Sequence, residues 1–246
     1  MSDLRSTNKT EVNLDSVSVM ILAGGLGTRL RSVLSSIPKC LAPIHGQPFL
    51  KFQLRILEEA GFRHVILCTG HMADLVRREI GTCYGSIKID YSEEQELLGT
   101  GGALRLALSK TDSSQLLVLN GDSFCEVDPN DFLTACSGSG FAGMVLAKVN
   151  NSDRYGGVET GPDGNIKRFL EKGVSGSGWI NAGIYLIPRD LIAVIKSGTK
   201  TSLEHDVFPG WVNQFKVLGF KTIGKFIDIG TPDSLAEANS FFRDKK

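Results

Sequence analysis

Apolar residues along this chain follow two rhythms. Residues 17–22, 64–69 and 116–119 are nearly unbroken apolar runs, as expected of strands buried on both faces. Between them, apolar positions recur at helical spacing. In residues 48–60, Leu50, Leu54 and Leu57 form a stripe, Pro48 suits the first turn and Gly61 the end. Residues 72–80 predict a second helix before Gly81, 87–91 a short strand, and 99–109 a helix opening at a glycine-rich turn. This alternation predicts an α/β fold with a doubly wound, mostly parallel sheet. Ligands of such sheets bind at the carboxyl ends of the strands.

Past about residue 140 the rhythm changes. Strands are expected at 142–149, 157–159, 166–170 and 179–187, separated by the turn-rich stretches SDRYGG, GPDGN and GVSGSG. They read as mixed or antiparallel strands that extend the same sheet and form a lid. Helices near 188–196 and 203–213, strands at 216–220 and 225–227, and a terminal helix from Pro232 to about Phe242 complete the chain. With no Pro- or Ser-rich linker and no repeat, one domain over 17–246 is expected, after a flexible tail at 1–16.

The 246 residues, 41% of them hydrophobic and 22% charged, suffice for a full core. The 27 basic and 27 acidic residues cancel, which argues against a nucleic-acid or membrane surface. No apolar run is long enough to span a bilayer, and residues 1–16 are polar without the apolar stretch of a signal peptide. Cys40, Cys68, Cys83, Cys125 and Cys136 make an odd count without CxxC spacing, so small buried thiols in a reducing, cytoplasmic setting are expected.

Chemistry enters with the loop after the first strand, Leu22-Ala23-Gly24-Gly25-Leu26-Gly27-Thr28-Arg29-Leu30, with Lys39 ten residues beyond Arg29. Glycines let backbone N–H groups approach phosphate oxygens, and the two cations neutralise what the N–H groups cannot. A Walker loop would need Lys-Ser or Lys-Thr after the glycines. A dinucleotide fingerprint would need a third glycine where Leu30 stands and an acidic residue closing the next strand. An ordinary glycine-rich turn is the alternative, disfavoured by Thr28, Arg29, Pro38 and Lys39 in register. Asp122 follows the run at 116–121, and Asp228 closes Phe226-Ile227. Lone carboxylates at strand ends suit Mg²⁺, which takes a few carboxylate oxygens and keeps waters and substrate phosphates. Each could instead cap a helix or an Asx-turn.

The sequence GGxGTRL…PKxL at 24–41 resembles the signature of the sugar-1-phosphate nucleotidyltransferases. NGD at 120–122 and IDIGTP at 227–232 are similar to that family's metal-site motifs, and LGTGGAL at 98–104 to its nucleoside loop. FLEK at 169–172 resembles its sugar-phosphate motif and NAGIY at 181–185 its sugar-binding strand. The motifs stand in family order over roughly residues 17–242 and are most similar to heptose-1-phosphate guanylyltransferases of bacterial surface-polysaccharide synthesis. Relatives acting on N-acetylmuramate 1-phosphate with UTP, or on mannose 1-phosphate with GTP, come next. Many relatives have Pro where this chain has Gly173, which leaves the placement of Lys172 open.

The resemblance implies a Rossmann-like sheet whose 17–140 half binds nucleotide and whose 141–246 half binds sugar phosphate, with Mg²⁺ as cofactor. The implied substrates are a nucleoside triphosphate and a sugar 1-phosphate, and a homo-oligomer is compatible with it. Leu22, Ala23, Gly24, Gly25, Gly27, Thr28, Leu98, Gly99, Thr100 and Gly101 would hold the nucleotide, with Glu94 an acceptor for base or ribose. Arg29 would neutralise the leaving pyrophosphate, Lys39 steady the phosphates, and Lys172 hold the sugar phosphate. Asp122 and Asp228 would hold the metal, Asp122 thereby being catalytic. Asn120, Gly157, Glu171 and Asn181 would meet sugar hydroxyls. A catalytically inactive nucleotide-sugar sensor is the non-enzymatic alternative, but it would have no reason to keep the pyrophosphate cation. A glycosyltransferase is a third, but it would carry an Asp-x-Asp motif, which this chain lacks.

Overall fold

The computed structural model describes residues 13–30, 33–34, 36–137, 141–171, 173 and 176–243. Lys172 and the side chain of Thr28 lie outside the described residues. In chain order the strands are β1 (Val17–Leu22), β2 (Pro43–Ile44), β3 (Gln47–Pro48), β4 (His64–Thr69), β5 (Cys83–Tyr84), β6 (Ile87–Glu93) and β7 (Gln115–Asn120). They continue as β8 (Ser123–Cys125), β9 (Ala142–Val149), β10 (Val158–Thr160), β11 (Ile166–Phe169), β12 (Gly178–Pro188), β13 (Val217–Thr222) and β14 (Phe226–Asp228). The helices are α1 (Phe49–Glu59), α2 (Ala73–Ile80), α3 (Gly99–Ala107), α4 (Pro129–Cys136), α5 (Arg189–Ala193), α6 (Phe208–Gln214) and α7 (Pro232–Phe241).

Eight strands form the main sheet in the order β13-β9-β12-β7-β1-β4-β6-β5. Neighbours β7, β1, β4 and β6 run parallel, as do β9 and β13, whereas β12 is antiparallel to both its neighbours and β5 to β6. The continuous apolar runs are central because both their faces are covered. Val19 and Ile21 of β1, Val65 and Leu67 of β4, and Leu117 and Leu119 of β7 face one core. That core also receives Leu50, Leu54 and Leu57 of α1, Val76 of α2 and Phe132 of α4. The alternate residues Met20, Ile66, Leu116 and Val118 face the other core, with Leu104 of α3, Ile192 of α5 and Phe208 of α6. This is the doubly wound arrangement the hydrophobic pattern predicts.

Strand order reverses at β1: the chain goes outward to β4 and β6, and β7 returns on its other side. The loops after β1 and β7 therefore diverge and leave a crevice at the carboxyl ends.

The structure departs from expectation in several places. β10 and β11 pair as a separate ribbon instead of extending the main sheet, and β14 pairs with β8 in another. Helix α4 was not anticipated, although Asp128 caps its N-terminus through Asn130 N–H at 2.8 Å and Pro129 opens it. At the start, Leu14–Ser16 form a 3₁₀ turn and Leu14 packs on the core.

Candidate active site

A cleft of about 700 Å³ opens at the switch point between β1 and β7. The β1 loop supplies Leu22, Ala23, Gly24, Gly25, Gly27 and Arg29. Lys39 stands across from them, and Asn120, Gly121 and Asp122 enter from β7. Glu94, Gly99 and Thr100 form the far wall. The N–H groups of Gly24 and Gly25 have no acceptor among the described residues, which leaves them available to an anion.

Lys39 is largely buried, and its Nζ donates to Asp122 Oδ2 at 2.8 Å. Asp122 is held further by its own backbone, because Ile229 N–H donates to its carbonyl at 2.9 Å. In the β8–β14 ribbon Asp228 lies opposite Ser123, the neighbour of Asp122. The two carboxylates predicted from strand ends are thus brought together by an antiparallel ribbon. Asp228 Oδ1 accepts from Arg154 Nη2 at 3.0 Å and from the Tyr155 hydroxyl at 3.1 Å. Burial, and then the charge of Asp228, pushes the Tyr155 hydroxyl up to about 12, so it stays a proton donor to that carboxylate. Each carboxylate keeps one oxygen without a protein donor among the described residues. No group of three or more His, Cys, Asp and Glu forms among those residues. Two carboxylates with free oxygens, beside a phosphate-sized loop, fit a hard cation that fills its shell with water and substrate oxygens.

Glu94 is almost wholly buried and joins two loops. Its Oε2 accepts Leu98 N–H at 2.7 Å. A Cβ on residue 24 would sit 2.7 Å from Glu94 Oε1 and 3.2 Å from the Gly70 nitrogen, so glycine is required there. Burial raises the Glu94 carboxyl above the usual carboxylate range, and the Leu98 N–H offsets part of that.

The remaining candidates divide. Leu98 and Gly101 stand behind the cleft wall: Leu98 N–H is taken by Glu94, and Gly101 N–H by the Thr201 carbonyl at 2.8 Å. Gly157 packs on Leu170, and Glu171 is exposed. Neither they nor Asn181 lines the cleft. Asn181 instead donates to the Tyr185 hydroxyl at 2.9 Å, and Tyr185 donates to Glu204 Oε1 at 3.1 Å.

Glu204 does line the cleft, with Lys200, Ser202 and His205, and none of these four was singled out from the sequence. Its Oε2 accepts the hydroxyls of Thr100 at 2.7 Å and Ser202 at 3.1 Å. The available signal was weak: Ser202 caps the turn at Leu203–Val207, which marks a helix start but not a binding wall.

A cleft at the switch point of a doubly wound sheet, lined by a glycine loop, Arg29 and a Lys39–Asp122 pair, defines an enzyme that handles nucleoside phosphates. The chain belongs to the nucleotidyl transferase family, whose pattern matches residues 18–245. It is 38% identical over 223 residues to D-glycero-alpha-D-manno-heptose 1-phosphate guanylyltransferase of Aneurinibacillus thermoaerophilus, covering 90% of this chain and 96% of that one. The enzyme of the same description from Campylobacter jejuni is 36% identical over 217 residues, covering 88% and 96%. Among solved structures, HddC from Yersinia pseudotuberculosis complexed with GMP-PN superposes with a TM-score of 0.83 at 34% identity, over 92% of this chain and 99% of that one.

Proposed function

We propose that this nucleotidyltransferase moves GMP from GTP to D-glycero-D-manno-heptose 1-phosphate, releasing pyrophosphate and GDP-heptose. The observation that carries the reading is the convergence, in one cleft, of the β1 glycine loop, the Lys39–Asp122 pair and the Gly99–Thr100 wall. The two guanylyltransferase relatives matched over nearly their whole length support the choice of base and sugar.

A phosphate oxygen of the sugar phosphate attacks the α-phosphorus in line. A new P–O bond forms, the bond from the α-phosphorus to its bridging oxygen breaks, and pyrophosphate leaves with that electron pair. The nucleophile is already anionic near pH 7, so the protein needs no general base and acts by positioning and charge neutralisation. Free N–H groups of the glycine loop hold triphosphate oxygens. Arg29 offers a planar fork to the leaving pyrophosphate, and Lys39 a point charge to the phosphates. Lys172 holds the incoming sugar phosphate. Mg²⁺ held by Asp122 and Asp228 would supply Lewis-acid charge at the α-phosphate oxygens.

The test is a matrix of GTP, UTP and ATP against heptose, mannose, glucose and N-acetylmuramate 1-phosphates, scored by pyrophosphate release. GTP with the heptose phosphate is expected to give the highest kcat/KM. Mannose 1-phosphate is the second acceptor to watch. The mannose-1-phosphate guanylyltransferase catalytic subunit beta of Danio rerio is 36% identical, but this chain spans only 62% of it. No release with any pair would leave the nucleotide-sugar sensor as the reading.

A further inference from the structure

Gln53 is a polar residue in the apolar face of α1, only 3% exposed. Its Nε2 donates to two backbone carbonyls, Asn120 O at 2.8 Å and Ser123 O at 2.7 Å. Those carbonyls bracket Gly121 and Asp122, the two residues between β7 and β8. The rest of the turn is fixed from other sides. Gly121 N–H donates to Leu22 O, and Ile229 N–H to Asp122 O, both at 2.9 Å. A side chain at 121 would place its Cβ 2.7 Å from Leu22 O, so this close approach to β1 needs glycine.

Among the described residues the Gln53 amide hydrogen-bonds this turn and nothing else. Its Oε1 is buried without a hydrogen-bond partner among the described residues, beside a small cavity of about 30 Å³ walled largely by Leu57, Leu119, Phe124 and Ile184. An orphaned acceptor destabilises a fold, and a hydrophobe of similar size would avoid it. What only glutamine supplies is two N–H donors on one nitrogen, at that reach. Methionine has no donor, asparagine is one methylene short, and glutamate would turn an oxygen toward two carbonyls.

We infer that Gln53 is a positioning residue for nucleotidyl transfer: it staples the turn that delivers Asp122 and so sets the geometry of the metal-binding carboxylate. The inference rests on the reading of Asp122 as a metal ligand. Groups that orient a ligand in this way typically change metal affinity by about 10- to 100-fold when removed.

The test uses the full chain and four variants, Gln53→Met, Gln53→Asn, Val76→Ala and Asp122→Asn. Val76 is buried in α2, away from the cleft, and serves as a stability control. Mg²⁺ is titrated calorimetrically into enzyme saturated with a non-hydrolysable GTP analogue, and separately into the turnover assay. Both Gln53 variants are expected to need at least about tenfold more Mg²⁺ in each titration, with KM for GTP at saturating Mg²⁺ little changed. Val76→Ala is expected to lower Tm with wild-type Mg²⁺ dependence. Wild-type Mg²⁺ affinity in both Gln53 variants, with only a lower Tm, would make Gln53 a packing residue and overturn the inference. If Asp122→Asn itself binds Mg²⁺ like wild type, the metal-ligand reading fails first, and the inference falls with it whatever the Gln53 variants do.

Discussion

At the scale of single residues, Asp122 and Asp228 carry the sharpest expectation. Among the described residues each keeps an oxygen free of protein donors, and each is steadied by a neighbour on the other: Lys39 on Asp122, Arg154 and Tyr155 on Asp228. Asparagine at either position preserves shape but removes charge that a hard cation requires. Asp122→Asn and Asp228→Asn are expected to lose turnover at least about 100-fold, roughly 2.7 kcal/mol in the barrier, with Tm little changed. Near-normal rates at saturating Mg²⁺ would remove that residue from the metal site. The sequence marks both positions as carboxylates at strand ends, and the β8–β14 ribbon that sets Asp228 opposite the neighbour of Asp122 is what it does not show. Glu94 was legible only as an acceptor, and the structure gives it a partner in Leu98 N–H. Its native pKa is raised by burial, so its contribution to stability is full below the unfolded value near 4.3 and is lost as pH rises through the native value. Glu94→Gln keeps an acceptor for Leu98 and removes the buried charge. The variant is expected to match or exceed the parent's Tm at pH 7, with the difference vanishing toward pH 4. KM for GTP should stay within about threefold, ~0.7 kcal/mol. A collapse of the preference for GTP over ATP would instead make Glu94 a reader of the base.

At the scale of elements, strands and helices were legible in both halves of the chain, whereas helix α4 and the partners of β10, β11 and β14 were not. Strands β1, β4 and β7 announce themselves because burial on both faces demands continuous apolar runs. The glycine loop is legible because Gly24, Gly25 and Gly27 follow directly on a buried strand. The wall made by residues 198–206 gives no such signal. It is held by contacts that periodicity does not encode: the Thr201 carbonyl accepts Gly101 N–H at 2.8 Å, and the Thr100 hydroxyl both donates to Glu204 and accepts Leu203 N–H at 2.8 Å. Thr100 therefore couples the start of α3 to the opposite wall. Thr100→Val keeps the volume but leaves Leu203 N–H unpaired and removes one of the three hydroxyl donors to Glu204, at a cost of about 1–3 kcal/mol. KM for GTP is expected to rise several-fold more than KM for the sugar phosphate, because Thr100 belongs to the loop proposed to hold the nucleotide. An equal rise in both would show that the Glu204 network serves the two substrates jointly.

At the scale of the whole molecule, the site is assembled from parts distant in sequence, and an aromatic cluster holds them together. Phe242, fully buried just past α7, lies 5.9 Å ring to ring from Phe49 and 4.2 Å from Phe52, both of α1. It lies 4.8 Å from Phe124 of β8. Helix α1 carries Gln53, β8 follows Asp122, and α7 follows Asp228 and the turn at Gly230. The β8–β14 ribbon has three residue pairs, too few to be stable alone, so its register depends on this packing. None of this cluster was visible in the sequence, where Phe49, Phe124 and Phe242 lie far apart with no shared period. Phe242→Ala should cost about 3–5 kcal/mol. At roughly 2–4 °C per kcal/mol for a chain of this size, Tm should fall by about 6–20 °C. The lost packing borders both carboxylates, so the Mg²⁺ requirement should rise as well, measured well below the lowered Tm. Phe208→Ala removes an equally buried ring from the opposite face of the sheet, among Tyr185 and Trp211. It should lower Tm comparably without changing the Mg²⁺ requirement. If both variants shift Mg²⁺ dependence alike, the effect is general loosening, and the α1–β8–α7 cluster has no special hold on the metal site.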